Sequence, residues 1–388
     1  MTSMKKNILL SVFYLFLQQY CIAQELPNYT LEDVPLVANL DSIRMITPEL
    51  LKFSNTRYIP LETSDDCLIG TTSKVLIRDN RIYVADFHKT LALFVFDMNG
   101  KFLFKISNRG QGPGEYIRFN DFDIQSNGDI YMFDHFGKKF LVFNSKGKYL
   151  KEIKTDYYFS FFCIVKDNLY LSCLTDVGKK FADLAVYDMV GNKTEFLLKD
   201  KKFLTGNNLL KYGSYKFFNS NSDVTYYSPR FSPIIYAIDD NGVRPAIGIK
   251  GKNLRIPPED VVTEWESKIL SRGGDPSAMI ADNKYFKENT HIYETDKHIT
   301  FAYIQEYGKV LYLIYDKQSG MFSYVFSVFL FMNLGAEGPM GSTGKAFFSR
   351  IDFNLGNEYH KKLLESRKEL KNWKEEDNPV IVLFNFDL

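Results

Sequence analysis

This chain has too few cysteines for a disulfide scaffold. Four cysteines occur among 388 residues, and Cys21 falls inside an N-terminal stretch that reads as a signal. Cys67, Cys163 and Cys173 remain, and an odd number of thiols cannot pair fully within one chain. Buried free thiols are therefore expected. A bridge between Cys163 and Cys173, across a hairpin turn expected at Asp167-Asn168, is the alternative, but a two-residue loop there puts them on opposite faces. A net charge is also missing: 48 Lys+Arg stand against 47 Asp+Glu, leaving +1. That excludes the basic excess needed by a nucleic-acid or anionic-membrane surface. The five histidines, His88, His135, His291, His298 and His360, form no His-Glu-Xaa-Xaa-His helix. There is no Gly-Xaa-Ser-Xaa-Gly elbow, and no cysteine sits in an electropositive setting beside a base.

Long apolar runs are missing as well. The ten residues from Ile8 to Leu17 fall well short of the roughly 20 that a spanning helix requires. Preceded by Lys5 and Lys6 and followed by Cys21-Ile22-Ala23, they predict a signal peptide over 1–23 with Gln24 as the mature start. No transmembrane segment is expected beyond it. Lipid anchoring at Cys21 is the competing reading, disfavoured because Tyr20 stands where a small residue is needed. The chain is thus expected in the periplasm or at the cell surface.

What is abundant is aromatic residues, 34 Phe and 25 Tyr, which suit the pleated, half-buried surface of strands. Five times an aromatic-rich strand pattern runs into an acidic or amide residue, then a glycine, then another strand. These turns are Asp97–Gly100, Asn144–Gly147, Asp188–Gly191, Asp239–Gly242 and Asp316–Gly320. The first three intervals, near ~40–50 residues, indicate a repeat architecture. Arg81–Asp86 matches Asp129–Asp134 position for position, and each is followed by a second strand, the turn and a third strand. Three such strands with a fourth from the interblade segment make one propeller blade.

Weaker copies follow at Leu169–Leu171 with Leu184–Tyr187, Val224–Tyr227 with Ile234–Ile238, and Ile299–Tyr303 with Val310–Tyr315. A sixth blade is expected from the two ends, Tyr58–Leu61 and Val380–Phe384, whose pairing would remove two sheet edges. The expectation is an all-β, six-bladed β-propeller of four-stranded antiparallel blades over 51–388, behind an extended lead-in over 24–50. Two helical insertions are predicted. One, about 257–273, opens at Pro257-Pro258, runs through Val262, Trp265, Ile269 and Leu270, and ends at Gly273-Gly274. The other, about 358–373, places Leu363, Leu364, Leu370 and Trp373 at helical spacing. Insertions in repeat folds tend to project from one face, often the binding face.

Between the first two visible blades lies Arg109-Gly110-Gln111-Gly112-Pro113-Gly114-Glu115-Tyr116. A phosphate cradle needs the glycines to open a helix, whereas these lead to another strand, and Pro113 removes a backbone donor. The loop reads first as a tight crossing between blades. This segment, the Asp-Ile-Tyr-Xaa-Xaa-Asp strand and the Val-Phe-Xaa-Xaa-Xaa-Gly-Lys turn resemble those of NHL/TolB-like propellers. With Ile59-Pro60-Leu61-Glu62, Leu68-Ile69-Gly70 and Asp377-Asn378-Pro379-Val380, the chain is similar to a family of secreted six-bladed β-propellers from Gram-negative bacteria. The resemblance implies the fold and leaves the activity open.

The candidate ligand-binding residues are Arg109, Glu115 and Arg118, which would form a polar rim on the face where interblade loops emerge. Asp86 and Asp134 recur one blade apart. A repeated aspartate usually accepts hydrogen bonds from turn amides; the other reading is a cation held at the channel. The expected function is an exported binding protein of the cell envelope, without a cofactor, for a glycan, peptide or protein partner. The alternative is a metal-dependent lactonase, lyase or hydrolase with Ca²⁺ or Zn²⁺ in the central channel.

Overall fold

The computed structural model describes residues 26–388 apart from 158, 160, 176–180, 199–216, 220–223, 272, 274–278, 280, 306–308 and 337. The signal peptide, Cys21 and Gly274 therefore lie outside the described residues, as do the side chains of Cys173 and Leu270.

Among the described residues, 26 strands form six sheets. The N-terminal segment supplies β1 (Leu36–Asn39), β2 (Arg44–Met45) and β3 (Lys52–Pro60). Blade 1 is β4 (Lys74–Arg78), β5 (Arg81–Asp86), β6 (Ala92–Asp97) and β7 (Phe102–Ile106). Blade 2 is β8 (Phe119–Ile124), β9 (Ile130–Asp134), β10 (Lys139–Phe143) and β11 (Tyr149–Lys154). Blade 3 is β12 (Phe161–Val165), β13 (Asn168–Thr175), β14 (Phe181–Asp188) and β15 (Lys193–Leu198). Blade 4 is β16 (Phe217–Asn219), β17 (Thr225–Tyr227), β18 (Ile234–Asp239) and β19 (Gly242–Lys250). Blade 5 is β20 (Glu288–Glu294), β21 (His298–Ile304), β22 (Leu311–Asp316) and β23 (Met321–Phe326). Blade 6 is β24 (Gly341–Ser342), β25 (Phe347–Ile351) and β26 (Val380–Asp387), completed by β3.

The ring closes as the two ends predicted, with Val380 opposite Pro60 and Val382 opposite Tyr58. Each of the five acidic or amide turns joins the third strand of its blade to the fourth. Asp97 and Asn144 show why these sequences turn: each side-chain oxygen accepts the amides two and four residues on, a local bond that bends the chain without tertiary help.

Three features depart from the expected plan. The lead-in is ordered: β1 pairs in parallel with β19 and β2 with β23, so blades 4 and 5 have five strands and a parallel edge. A third helix follows β23, Ser327–Leu334. The C-terminal helix spans Glu358–Ser366 and stops at Arg367, where the backbone is extended, before a short 3-10 turn at Lys368–Leu370. The insertion helix spans Glu259–Ser271, with Val262, Trp265 and Ile269 buried on one side.

The cores lie between blades, where apolar faces of neighbouring sheets meet. Tyr83, Leu93 and Val95 of blade 1 pack with Phe122, Leu141 and Phe143 of blade 2. Phe133 and Phe140 of blade 2 pack with Phe162 and Leu171 of blade 3. Each fully buried ring contributes on the order of 2–3 kcal/mol. The first strands are also pinned polarly. Asp121 accepts the Phe162 amide at 3.0 Å and Asp123 accepts the Ile164 amide at 2.8 Å, while Lys74 of blade 1 donates to Asp121 at 2.7 Å. Alternate carboxylates on β8 thus stand in for a backbone ladder to β12. Burial raises the Asp121 pKa despite the opposing Lys74 ammonium.

Cys67 and Cys163 are buried free thiols. The hairpin between β12 and β13 turns at 166–167, one residue earlier than expected, and sets Cys163 opposite Tyr170. No helix among the described residues is long and apolar enough to cross a membrane.

Candidate functional site

Antiparallel blades send their connections alternately to two ends of the ring. At one end the first-to-second and third-to-fourth turns are tight, such as 79–80, 98–101 and 166–167. At the other end lie the second-to-third turns and the interblade crossings, several of them long: 61–73, 107–118, 251–287, 327–340 and 352–379. Helices Glu259–Ser271, Ser327–Leu334 and Glu358–Ser366 all sit at this second end, so among the described residues one face is elaborated and the other is plain.

Asp86 and Asp134 end the second strands of blades 1 and 2 at the elaborated face. Both are fully buried. Asp86 accepts the amides of Thr71, His88, Lys89 and Thr90 and the Thr90 hydroxyl, all at 2.9–3.0 Å. Burial works to raise its pKa, but the amide bonds from Thr90, Lys89 and His88 outweigh it and hold the carboxyl below its ordinary value. Asp134 accepts the amides of Ile117, Arg118, Phe136 and Gly137. Each carboxylate ties an interblade crossing to the turn after its own strand. No group of three or more His, Cys, Asp or Glu placed to hold a metal ion occurs among the described residues.

In the glycine-rich crossing, Glu115 turns inward and accepts the Gly112 amide at 2.9 Å. Arg109 and Arg118 are exposed. Arg109 bridges Tyr116 through the backbone, and the Arg118 guanidinium lies 3.4 Å from His88 Nδ1. The anchor of the loop is Tyr116, fully buried, whose hydroxyl donates to the Leu91 carbonyl at 2.6 Å.

Two further constellations on this face were not singled out from the sequence. Between blades 4 and 5, below the insertion helix, Arg230 pairs with Glu288 at 3.4 Å and both are nearly buried. Lys287 donates to the carbonyls of Asp282 and Tyr285 and lies 4.8 Å from the Trp265 ring centre. Burial lowers its pKa to about 8. His291 sits in an irregularity of β20 with φ 53°, and its Nδ1 is buried without a hydrogen-bond partner. Burial lowers the His291 pKa to about 4. Left-handed backbone at a non-glycine residue is uncommon and concentrates at constrained positions.

The second constellation is a cleft of about 330 Å³ between blades 6 and 1. One wall is the crossing 69–72; the other comes from Arg350, Asp352 and Phe353 and from Trp373, Glu375, Asp377 and Pro379. Trp373 packs on Phe353 with ring centres 4.8 Å apart and donates its indole N–H to the Asn378 carbonyl at 3.1 Å. Arg350 is held by Asp352 and by the Thr72 carbonyl, each at 2.6 Å. Asn378 fixes the base, donating to the carbonyls of Glu62 and Cys67 and accepting the Ile69 amide. The walls come from residues some 280 positions apart, so no sequence window signalled them.

Solved structures share this architecture. A candidate exported protein of Bacteroides fragilis matches with a TM-score of 0.70 at 20% identity, over 91% of this chain and 99% of that one. A member of the DUF4221 family from Bacteroides vulgatus matches with a TM-score of 0.52 at 10% identity, over 87% and 98%. At these identities the likeness is one of fold. No curated protein matches the chain. The family described as a domain of unknown function (DUF4934) matches residues 37–385, which takes in all six blades, and the chain belongs to it.

Proposed function

We propose that this chain is an exported β-propeller of the cell envelope that binds a glycan, peptide or protein partner on its elaborated face. The observation that carries this reading is the asymmetry of the ring. Among the described residues, the long crossings, the three helices named above and the 330 Å³ cleft lie at one end, and the other end has short turns. A fold does not choose a ligand, but elaboration confined to one face is how repeat folds build binding surfaces. The apolar segment Ile8–Leu17 behind Lys5 and Lys6 and the description of the B. fragilis relative as a candidate exported protein support export. The NHL/TolB-like resemblance of Arg109–Tyr116 belongs to the same reading, as does a rim role for Arg109 and Arg118, both exposed there.

The test is thermal unfolding of the mature chain with neutral glycans, peptides and envelope extracts, and separately with Ca²⁺, Zn²⁺ or EDTA. A ligand about 100-fold above its Kd adds about 2.7 kcal/mol. A midpoint raised by a glycan, peptide or protein supports the reading. A midpoint raised by a divalent cation and lowered by EDTA overturns it in favour of a metal-dependent enzyme, and no shift with any probe also overturns it. Fractionation of expressing cells tests export, and a chain retained in the cytoplasm would refute that part.

A further inference from the structure

We infer that the cleft between blades 6 and 1 is a carbohydrate subsite, taking a sugar ring of a neutral glycan. The inference rests on the binding reading above and deepens it. It follows from which groups of the cleft are already committed. Arg350 is fixed by two bonds, the Trp373 N–H by one, and one oxygen of Asp377 by the Lys374 amide at 2.7 Å. What remains is the hydroxyls of Thr71 and Thr72, the Glu375 carboxylate, the other Asp377 oxygen and the indole ring surface.

Those remaining groups define the occupant. Carboxylate oxygens only accept, so the ligand must donate hydrogen bonds. No uncommitted cation lines the cleft, so an anionic ligand would meet repulsion without compensation. An aromatic wall favours a flat apolar surface. A pyranose supplies both, with C–H bonds on one face and hydroxyl donors at its edge. The volume lies at the small end of ligand pockets, which begin at about 300 Å³, and so suits a sugar ring or two rather than a stretch of polypeptide. A lysine or arginine side chain would also satisfy the acceptors and would be drawn by three carboxylates set against one guanidinium, so tetralysine is the competing probe.

The chain has two tryptophans, so W265F leaves Trp373 as the one indole emitter. This variant is titrated with cellobiose, maltose and chitobiose, and in parallel with tetralysine, at low and high salt. The expected result is a saturable change in Trp373 emission with a neutral disaccharide, insensitive to salt. E375Q, at an exposed position, should weaken it about five-fold, roughly 1 kcal/mol, with an unchanged unfolding midpoint. Two results overturn the inference: no saturable change with any disaccharide, or a titration by tetralysine that collapses at high salt. If thermal unfolding finds a ligand while Trp373 stays silent, the cleft assignment falls and the binding reading stands. If neither responds, both fall.

Discussion

Replacing Asp86 with alanine tests how the elaborated face is held. The carboxylate takes five hydrogen bonds, four from amides and one from a hydroxyl. His88, Lys89 and Thr90 are exposed, so their amides return to water when the acceptor is lost, at ~0.5 kcal/mol each. Thr71 is half-buried, and a charge-assisted bond to it is worth about 1.5–3 kcal/mol. The expected destabilisation is therefore ~3 kcal/mol. For 388 residues, an unfolding entropy of about 2.1 cal/mol/K per residue gives ~0.8 kcal/mol/K, hence a drop in Tm of ~4 °C. Denaturant unfolding and calorimetry read both numbers.

Asp86→Asn should be nearly as costly, because its amide turns two donors toward donors. The pH dependence gives an independent check. The folded pKa lies below the ordinary 3.8, so this stabilisation is complete above the unfolded value and is lost as pH falls through the folded one. The alanine variant should lack that acid-side loss. A Tm change below about 1 °C in a folded Asp86→Ala protein would refute the account of Asp86 as the tie between crossing and turn. So would Ca²⁺ stabilising the wild type and not the variant.

Gly100 and Gly242 occupy the same turn position in blades 1 and 4, with φ of +82° and +98°. A Cβ on Gly100 would lie 2.0 Å from the Pro60 carbonyl oxygen, whereas one on Gly242 would meet nothing within 4 Å. Gly242→Ala should cost about 1 kcal/mol in backbone strain. Gly100→Ala should cost at least ~3 kcal/mol more than that, as measured by urea unfolding, because the carbonyl belongs to the closing strand. Asp121→Ala leaves the Lys74 ammonium without its carboxylate and should destabilise by about 3–5 kcal/mol in the same assay. His291 has a folded pKa of about 4 against an ordinary 6.5, so the unfolded chain binds the proton first. Stability should fall as pH drops from 6.5 toward 4, and His291→Asn, which tolerates left-handed backbone, should flatten that stretch of the stability–pH curve.

The blades were legible because their turns are local. An aspartate that accepts its own i+2 amide, followed by a glycine, carries its instruction within five residues, and alternation on either side marks the strands. β1 and β2 were not legible because Leu36–Asn39 and Arg44–Met45 are strands only through their partners β19 and β23. Helix Ser327–Leu334 reads Ser-Val-Phe-Leu-Phe-Met-Asn-Leu, apolar on all sides, and continues the run of β23 without a change of period. The break at Arg367 lacks a proline or glycine to announce it.

The candidate site divides in the same way. The crossing at Arg109–Tyr116 was visible through its glycines. Trp373 was visible as part of a helical pattern, but its juxtaposition with Thr71 and Thr72 is a product of ring closure. Asp121 and Asp123 look like charges on a solvent-facing strand until the neighbouring blade supplies amides for them.

The N-terminal segment has a consequence for timing. Leu26 bonds to Leu197 on the rim of blade 3, β1 and β2 follow along blades 4 and 5, and β3 finishes blade 6. Each of these strands therefore waits for a partner made much later: β1 for β19, β2 for β23 and β3 for β26. A nascent chain can complete early blades, but Lys52–Pro60 waits, unpaired, for Val380–Asp387 to arrive. Such long-range pairing slows folding and leaves strand edges bare meanwhile. Closure of the ring thus acts as a test of completeness: a chain truncated before its final strand leaves β3 without its partner and the ring open.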